Sequence, residues 1–251
     1  MADKPSFPQS FGVLLYPQFE VLDIAGPLEA LNTLARLKDQ TGSQPYKDIS
    51  LAVISRTMEP VTPGPIPPDT AGVRFSGRQL YIPTHTFSDA PPLDFLLVPG
   101  GYGDLSPLPG GGQADVAEAV AYIRAAYDGY AQNQPLQYLM SICTGAALLA
   151  QAGILDGRRA TTNKEAWPYV TPLGRKTYWQ AEARWVRCGN VWTTSGVSAG
   201  TDGMIAWLAR ILPAEIVQQV VTSMEYNRVE CSDDDPFAKA WNRQHVPPQE
   251  V

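Results

Sequence analysis

Three cysteines stand in the chain, and one of them has neighbours that suit it to covalent chemistry. Residues 136–149 read LQYLMSICTGAALL, an apolar run of strand character that stops at Cys143 and resumes as a run of small, helix-forming residues. A nucleophile elbow needs this pattern, because the chain reverses so sharply that the residues two before and two after the nucleophile must be small. Here they are Ser141 and Gly145. The elbow predicts a sulfur at the first turn of a helix, where unpaired N–H groups and partial positive charge favour thiolate over thiol. The expectation is a lowered pKa and nucleophilic attack near neutral pH. Cys188 and Cys231 lack this context and read as structural residues.

Such a nucleophile needs proton handling and a place for developing negative charge. Asp23 lies between an apolar run, Phe11–Tyr16, and a helix read as starting at Gly26-Pro27. Flanked by Leu22 and Ile24, it is either a solvated loop charge or a carboxylate held in an apolar cleft, where it would accept a hydrogen bond from sulfur and relay a proton. Spacing alone favours a plain loop aspartate before a helix start. Gly100-Gly101 follow another apolar run but lack the Lys-Ser/Thr of a phosphate loop and the dinucleotide fingerprint. Their unshielded N–H groups read instead as an oxyanion site. Ser195-Gly196 and Ala199-Gly200 suit close packing at a helix start, and Asp202 reads as a helix-end charge.

These residues need a scaffold that brings them to one edge. Strand-like runs at Phe11–Tyr16, Ile49–Ile54, Phe95–Val98, Leu136–Ile142 and Val191–Thr194 alternate with helix-like runs. The helices are expected at Pro27–Leu37, Ala114–Tyr127, Thr144–Ala152, Ala199–Leu212 and Ala214–Tyr226. The alternation predicts an α/β fold, a mostly parallel sheet with helices on both faces, whose ligands bind beyond the carboxyl ends of the strands. The Asp23 loop, the Gly100-Gly101 turn and the Cys143 elbow each follow a strand and should converge there. Leu80–Phe87 reads as a short strand or hairpin, and the Pro-dense Glu59–Asp69 and the PLPGGGQ stretch at 107–113 as loops. The expected division is an N-terminal extension (1–10), one domain (11–226) and a C-terminal tail (227–251) that is either solvated or packed on a partner subunit.

Four ordered segments, LDIAGPLEAL, LLVPGGYG, SICTGAALLAQAGILDGRRATT and TSGVSAGTDGMIAWLARIL, resemble the ThiJ/PfpI superfamily of class I glutamine-amidotransferase-like proteins, nearest to its isocyanide (isonitrile) hydratase branch. The resemblance implies a flavodoxin-like three-layer sandwich, a homodimer, and an active cysteine near the dimer interface beside an acidic residue of the first strand-to-helix loop. Residue by residue it implies Cys143 as nucleophile, Asp23 as its acid, and Thr144 as the neighbouring hydroxyl. The PGG turn of Pro99, Gly100 and Gly101 matches the loop whose N–H groups face the cysteine. The chain departs from many members at Asn163, which stands where they carry histidine. Asparagine forms hydrogen bonds but takes up no proton near neutral pH, so it is a substrate-binding candidate and not a general base. That departure weakens protease-like, amidase-like and triad-dependent glyoxalase readings more than hydration by an acid–cysteine pair.

The implied reaction is hydration of a small organic isocyanide to an N-substituted formamide, through a covalent intermediate on Cys143. Rival readings are a cofactor-independent glyoxalase or deglycase, and an oxidative-stress sensor or chaperone that turns nothing over. A ligand-binding regulator ranks last, because about 25 residues after the last expected helix are too few for a helix-turn-helix of ordinary lengths. Trp167, Tyr169, Trp179 and Trp185 are candidates to line an apolar pocket, though aromatics more often belong to a core or dimer contact. A net charge of −6 gives no electrostatic footprint for nucleic acid or an anionic membrane. Three cysteines without CxxC spacing and two histidines argue against a disulfide framework or a zinc centre. With no signal-like or membrane-length apolar run, the expectation is a cytoplasmic enzyme acting on a small molecule, with no organic cofactor and no metal.

Overall fold

A computed structural model describes residues 6–37, 46–64, 79–103, 112–130 and 134–249. In chain order its strands are β1 (Ser10–Leu14), β2 (Ser50–Ser55), β3 (His85–Thr86), β4 (Phe95–Val98), β5 (Tyr138–Ser141), β6 (Arg159–Ala160), β7 (Tyr178–Trp179), β8 (Trp185–Cys188) and β9 (Val191–Thr194). The helices are α1 (Val21–Arg36), α2 (Gly112–Asp128), α3 (Gly145–Gln151), α4 (Trp167–Val170), α5 (Ala199–Ile211), α6 (Ala214–Ser223) and α7 (Phe237–Ala240). The main sheet runs β3-β2-β1-β4-β5-β9-β8, and every neighbouring pair is parallel except β8 with β9. β6 and β7 form a separate parallel pair.

All four residues of β4 and of β9 are buried, as a parallel sheet covered on both faces requires, and both strands read as unbroken apolar or small-residue runs. Helix α1 packs with α5 and α6, while α2 packs with α3, which gives the α/β three-layer arrangement. Gly26 sets the approach of α1 to α5, since a Cβ there would lie 2.1 Å from the Thr201 hydroxyl oxygen. Trp207 of α5 lies edge-on to Phe95 with ring centroids 4.8 Å apart, and Phe7, Phe11 and Tyr138 complete the aromatic cluster around it.

Two expectations need correction. Helix α1 begins at Val21, so Asp23 lies in its first turn and not in a loop. Proline is favoured at a helix start, and Pro27 suggested one; instead it sits inside the helix, where it has no N–H of its own to add to the helical ladder. The C-terminal tail, expected to be solvated or packed on a partner subunit, is hydrogen-bonded to its own chain. Val246 exchanges backbone hydrogen bonds of 2.9 and 3.0 Å with Trp179, His245 Nδ1 accepts from the Ala181 N–H at 3.0 Å, and Ser232 O accepts from the Arg184 N–H at 2.6 Å. The tail is a strap across β7 and the start of β8. The expected Leu80–Phe87 strand is present as β3 plus a bridge between Val61 and Tyr81. Residues 65–69 of the Pro-dense loop and 107–111 of the PLPGGGQ stretch lie outside the described residues, and the last two of that stretch open α2.

Candidate active site

Cys143 has a φ of 56° and a side chain only 5% exposed, and it sits between β5 and the start of α3. A left-handed conformation is costly for a residue with a Cβ, and it persists here because the surrounding contacts hold it. The Cys143 N–H donates to Ser195 O at 3.0 Å, and its carbonyl accepts from the Thr162 hydroxyl at 2.8 Å. The small-residue requirement is visible at Gly145, where a Cβ would lie 2.5 Å from Val98 O and 2.6 Å from Pro99 O. At Gly100 a Cβ would come within 2.5 Å of the Thr144 nitrogen and 2.9 Å of Cys143 Cβ. The elbow and the PGG turn are therefore in direct contact.

Asp23, fully buried, receives the Gly100 N–H on Oδ2 at 2.8 Å. The Thr144 hydroxyl accepts the Gly101 N–H at 2.8 Å and donates back to Gly101 O at 3.1 Å. Both glycine N–H groups are thus engaged, which corrects the expectation of an open oxyanion site at Gly100-Gly101. In this structure the turn uses its two donors to hold the carboxylate and the hydroxyl against the elbow. Tyr16 reinforces it by donating its hydroxyl to Pro99 O at 2.8 Å, and the Glu20 N–H donates to Gly100 O at 2.7 Å.

On the other side of the sulfur, Asn163 Nδ2 donates to Cys143 Sγ at 3.1 Å. The orientation of this amide is set by its Oδ1, which accepts the Ala166 N–H at 2.9 Å. The backbone N–H groups of Val197 and Thr144 also donate to the sulfur, so three donors face it. Val197 does this at a φ of 42°, a conformation that a β-branched residue rarely adopts. No sequence signal marked Val197, since β-branching argues against a left-handed turn. Only its small neighbours Gly196 and Ser198 hint that the backbone there approaches something closely.

Burial and the nearby Asp23 carboxylate push the Cys143 thiol well above its ordinary pKa, and the three N–H donors only partly oppose them. The expectation of a lowered pKa is therefore overturned. A helix end stabilises a thiolate that water also solvates, but here the sulfur is dry and shares its pocket with a carboxylate. Both histidines lie elsewhere, His85 in β3 and His245 in the tail strap.

Directly behind Asn163, Lys164 is buried, with Nζ donating to Thr161 Oγ1 at 2.7 Å, Ala183 O at 2.9 Å and Thr162 O at 3.1 Å. It pairs at 3.4 Å with Asp235 of the tail, also buried. Burial lowers the Lys164 amine to about 8, although the Asp235 charge works the other way. A cavity of ≈ 200 Å³ opens at Asn163, lined by Asn163, Gly196 and Val197 together with Phe237 and Trp241 of the tail; Cys143 is buried behind Asn163 and does not line it. Of the aromatics first considered for such a pocket, Trp167, Trp179 and Trp185 are buried and Tyr169 is exposed, and none lines this cavity. Trp167 and Trp179 pack edge to face in the core, 6.2 Å between centroids. Asp202 stays a structural residue, paired with the buried Arg184 at 2.6 Å and accepting the Val229 N–H at 2.9 Å.

The profile of the DJ-1/PfpI family matches residues 10–212, from β1 through α5. The chain belongs to the DJ-1/PfpI family. Among the relatives of this DJ-1/PfpI protein is isonitrile hydratase of Pseudomonas putida, 31% identical over 215 residues, a match that covers 86% of this chain and 77% of that enzyme. A ThiJ/PfpI family protein from Pseudomonas syringae superposes with a TM-score of 0.63 at 22% identity, over 94% of this chain and 81% of the other. DJ-1beta of Drosophila melanogaster superposes with a TM-score of 0.61 at 15% identity, over 88% of this chain and all of the other. At these identities the two structures establish the DJ-1/PfpI fold alone. Among the described residues no helix is long and apolar enough to cross a membrane.

Proposed function

We propose that this protein hydrates small organic isocyanides to N-substituted formamides, with Cys143 as nucleophile and Asp23 as the proton carrier. The observation that carries the reading is a buried thiol near a buried carboxylate, with an asparagine and no histidine donating to the sulfur at its other side. Hydration of an isocyanide begins as addition of a thiol S–H across one carbon. The S–H bond breaks, C–S and C–H bonds form at the terminal carbon, and the product is a thioimidate, R–N=CH–S–Cys143. A protonated thiol is the right starting state, because the proton that leaves sulfur is the one the carbon must gain. Asp23 carries it across, and the donors from Asn163, Val197 and Thr144 stabilise negative charge on sulfur during the transfer.

Water then adds to the thioimidate carbon, giving a tetrahedral carbon that bears OH, NHR and sulfur. Collapse expels the sulfur, which regains a proton, and releases R–NH–CHO. Covalent catalysis divides one hard hydration into two easier steps. Thr144, tied to Gly101 in both directions, keeps the elbow and the PGG turn in register while the carbon changes geometry. The 31% identity to an isonitrile hydratase over most of the chain supports the same reading. A glyoxalase role is disfavoured because Asn163 supplies no base.

The test is turnover of benzyl isocyanide in water enriched in oxygen-18, with N-benzylformamide read by mass spectrometry. Label in the formamide, lost in Cys143→Ala, supports the assignment. Conversion of methylglyoxal to lactate with no consumption of isocyanide would put the carbonyl reading in its place. We further propose that the active form is a homodimer.

A further inference from the structure

We infer that the C-terminal strap forms the subsite for the substrate's N-substituent, and that it selects isocyanides whose substituent is a neutral, flat, apolar group such as a benzyl or aryl ring. The inference rests on the hydratase reading for the reaction, and the strap residues that support it lie outside the family match, which ends at residue 212. The cavity lies one side chain away from the nucleophile, because Asn163, which donates to Sγ at 3.1 Å, lines it together with Val197. Its outer wall is Phe237 and Trp241. These two are one helical turn apart, so they rise from the same face of the strap's short helix α7 and its first following residue.

Both rings remain half in solvent, at 50% and 44% exposure, yet the backbone beneath them is fastened at several points. Asp235 Oδ1 accepts the Phe237 N–H at 3.1 Å, and the Trp241 N–H donates to Phe237 O at 2.9 Å. Arg243 donates from Nε to Lys164 O at 2.7 Å and from a terminal nitrogen to Glu165 O at 3.3 Å. With the Lys164–Asp235 ion pair, the strap is bolted to the two residues that follow Asn163. Two half-exposed rings on a fixed support, lining a cavity of ≈ 200 Å³ that they share with the asparagine bonded to the sulfur, form a site suited to an apolar partner. The size suits one ring with its functional group, smaller than the roughly 300–1,000 Å³ of drug-sized sites. The exposed Glu165 at the rim disfavours an anionic substituent.

Two readouts separate this inference from the hydratase reading. The first is the ratio of kcat/KM for benzyl isocyanide to that for methyl isocyanide, in the wild type, Trp241→Ala, Phe237→Ala and Trp241→Phe. The expected result is a ratio that falls about tenfold in each alanine variant, the scale of one lost ring contact, and recovers in Trp241→Phe. The second needs no turnover: Cys143 alkylation by N-benzyl iodoacetamide relative to iodoacetamide, read by peptide mass. A wild-type preference for the benzyl reagent that disappears in Trp241→Ala supports the subsite even if no isocyanide is hydrated. Ratios that stay within twofold of wild type in both assays would overturn it. So would an equal loss toward both reagents accompanied by a change in oligomeric state, which would make the rings a subunit contact.

Discussion

Replacing Asp23 with asparagine should make Cys143 more reactive toward an alkylating agent while making the protein a poorer hydratase. The substitution keeps an oxygen for the Gly100 N–H, now at 2.8 Å, and keeps the size of a fully buried side chain; it removes the charge. That charge, after burial itself, is what holds the thiol up. A like charge shifts a pKa when it lies within about 4–6 Å, and at about 5 Å with an effective dielectric near 20 the interaction is about 3 kcal/mol, equivalent to about two pKa units. Lowering the thiol by that amount raises the thiolate fraction about 100-fold. Intrinsic nucleophilicity falls with pKa along a slope of roughly 0.4–0.5, which returns about one decade and leaves a net gain of about tenfold. Hydration should fall by about 10²–10⁴, the usual contribution of a positioned acid or base. The assay is the pH–rate profile of iodoacetamide labelling at the Cys143 peptide, resolved from Cys188 and Cys231 by mass, beside kcat for benzyl isocyanide. Slower or unchanged labelling in Asp23→Asn would refute the reasoning, because the carboxylate would then be activating the resting thiol and not suppressing it.

Three further outcomes are expected. Asn163→Leu removes the 3.1 Å donor to sulfur, and hydrogen bonds to charged groups contribute about 1.5–3 kcal/mol, so Cys143 labelling should slow by roughly 10–100-fold; a thermal melt run alongside checks the loss of the Ala166 N–H acceptor. Lys164→Met leaves Asp235 buried without its partner and should cost about 3–5 kcal/mol in denaturant unfolding. In the wild type, folding releases the Lys164 proton between about 8 and the ordinary lysine value of 10.5, so this residue makes stability climb as pH rises through that window. Subtracting the Lys164→Met profile isolates the climb, and a difference that is flat or falls with pH contradicts the burial. In light scattering the 27.3 kDa chain should have about twice that mass, because the proposed homodimer needs a self-complementary patch; a concentration-independent monomer rules it out.

The sheet was readable in the sequence because its central strands are short apolar runs separated by helix-period segments, and the five expected strands and five expected helices form close to their expected bounds except at the start of α1, which lies six residues earlier, at Val21 and not Pro27. The elbow was readable because its steric demand is written in residue size at Ser141 and Gly145. Electrostatics was not. Spacing placed Cys143 at a helix start but carried no information on how dry the sulfur would be, and that dryness, with Asp23, reverses the sign of the pKa shift. The Gly100 and Gly101 N–H groups were visible as unshielded donors, yet their acceptors lie 77 and 43 residues away in the chain, beyond any local pattern. Val197 was hidden because its residue type contradicts its conformation. The strap was hidden because irregular chain has no periodicity, and its attachment depends on single contacts such as Asp235 with Lys164 and Arg243 with Lys164 O.

The strap's position has a consequence for how such a chain can diversify. The reacting groups sit on the sheet's edge and the adjoining loops, where almost any substitution disturbs a strand end or a helix start, whereas Phe237 and Trp241 belong to a peripheral segment that adds no strand to the main sheet. On the proposed reading, the groups that set the reaction and those that set substrate preference lie on separate stretches of chain. Drift, recombination or deliberate grafting within residues 227–249 can change what the cysteine meets without retuning the cysteine, provided that a carboxylate still reaches Lys164.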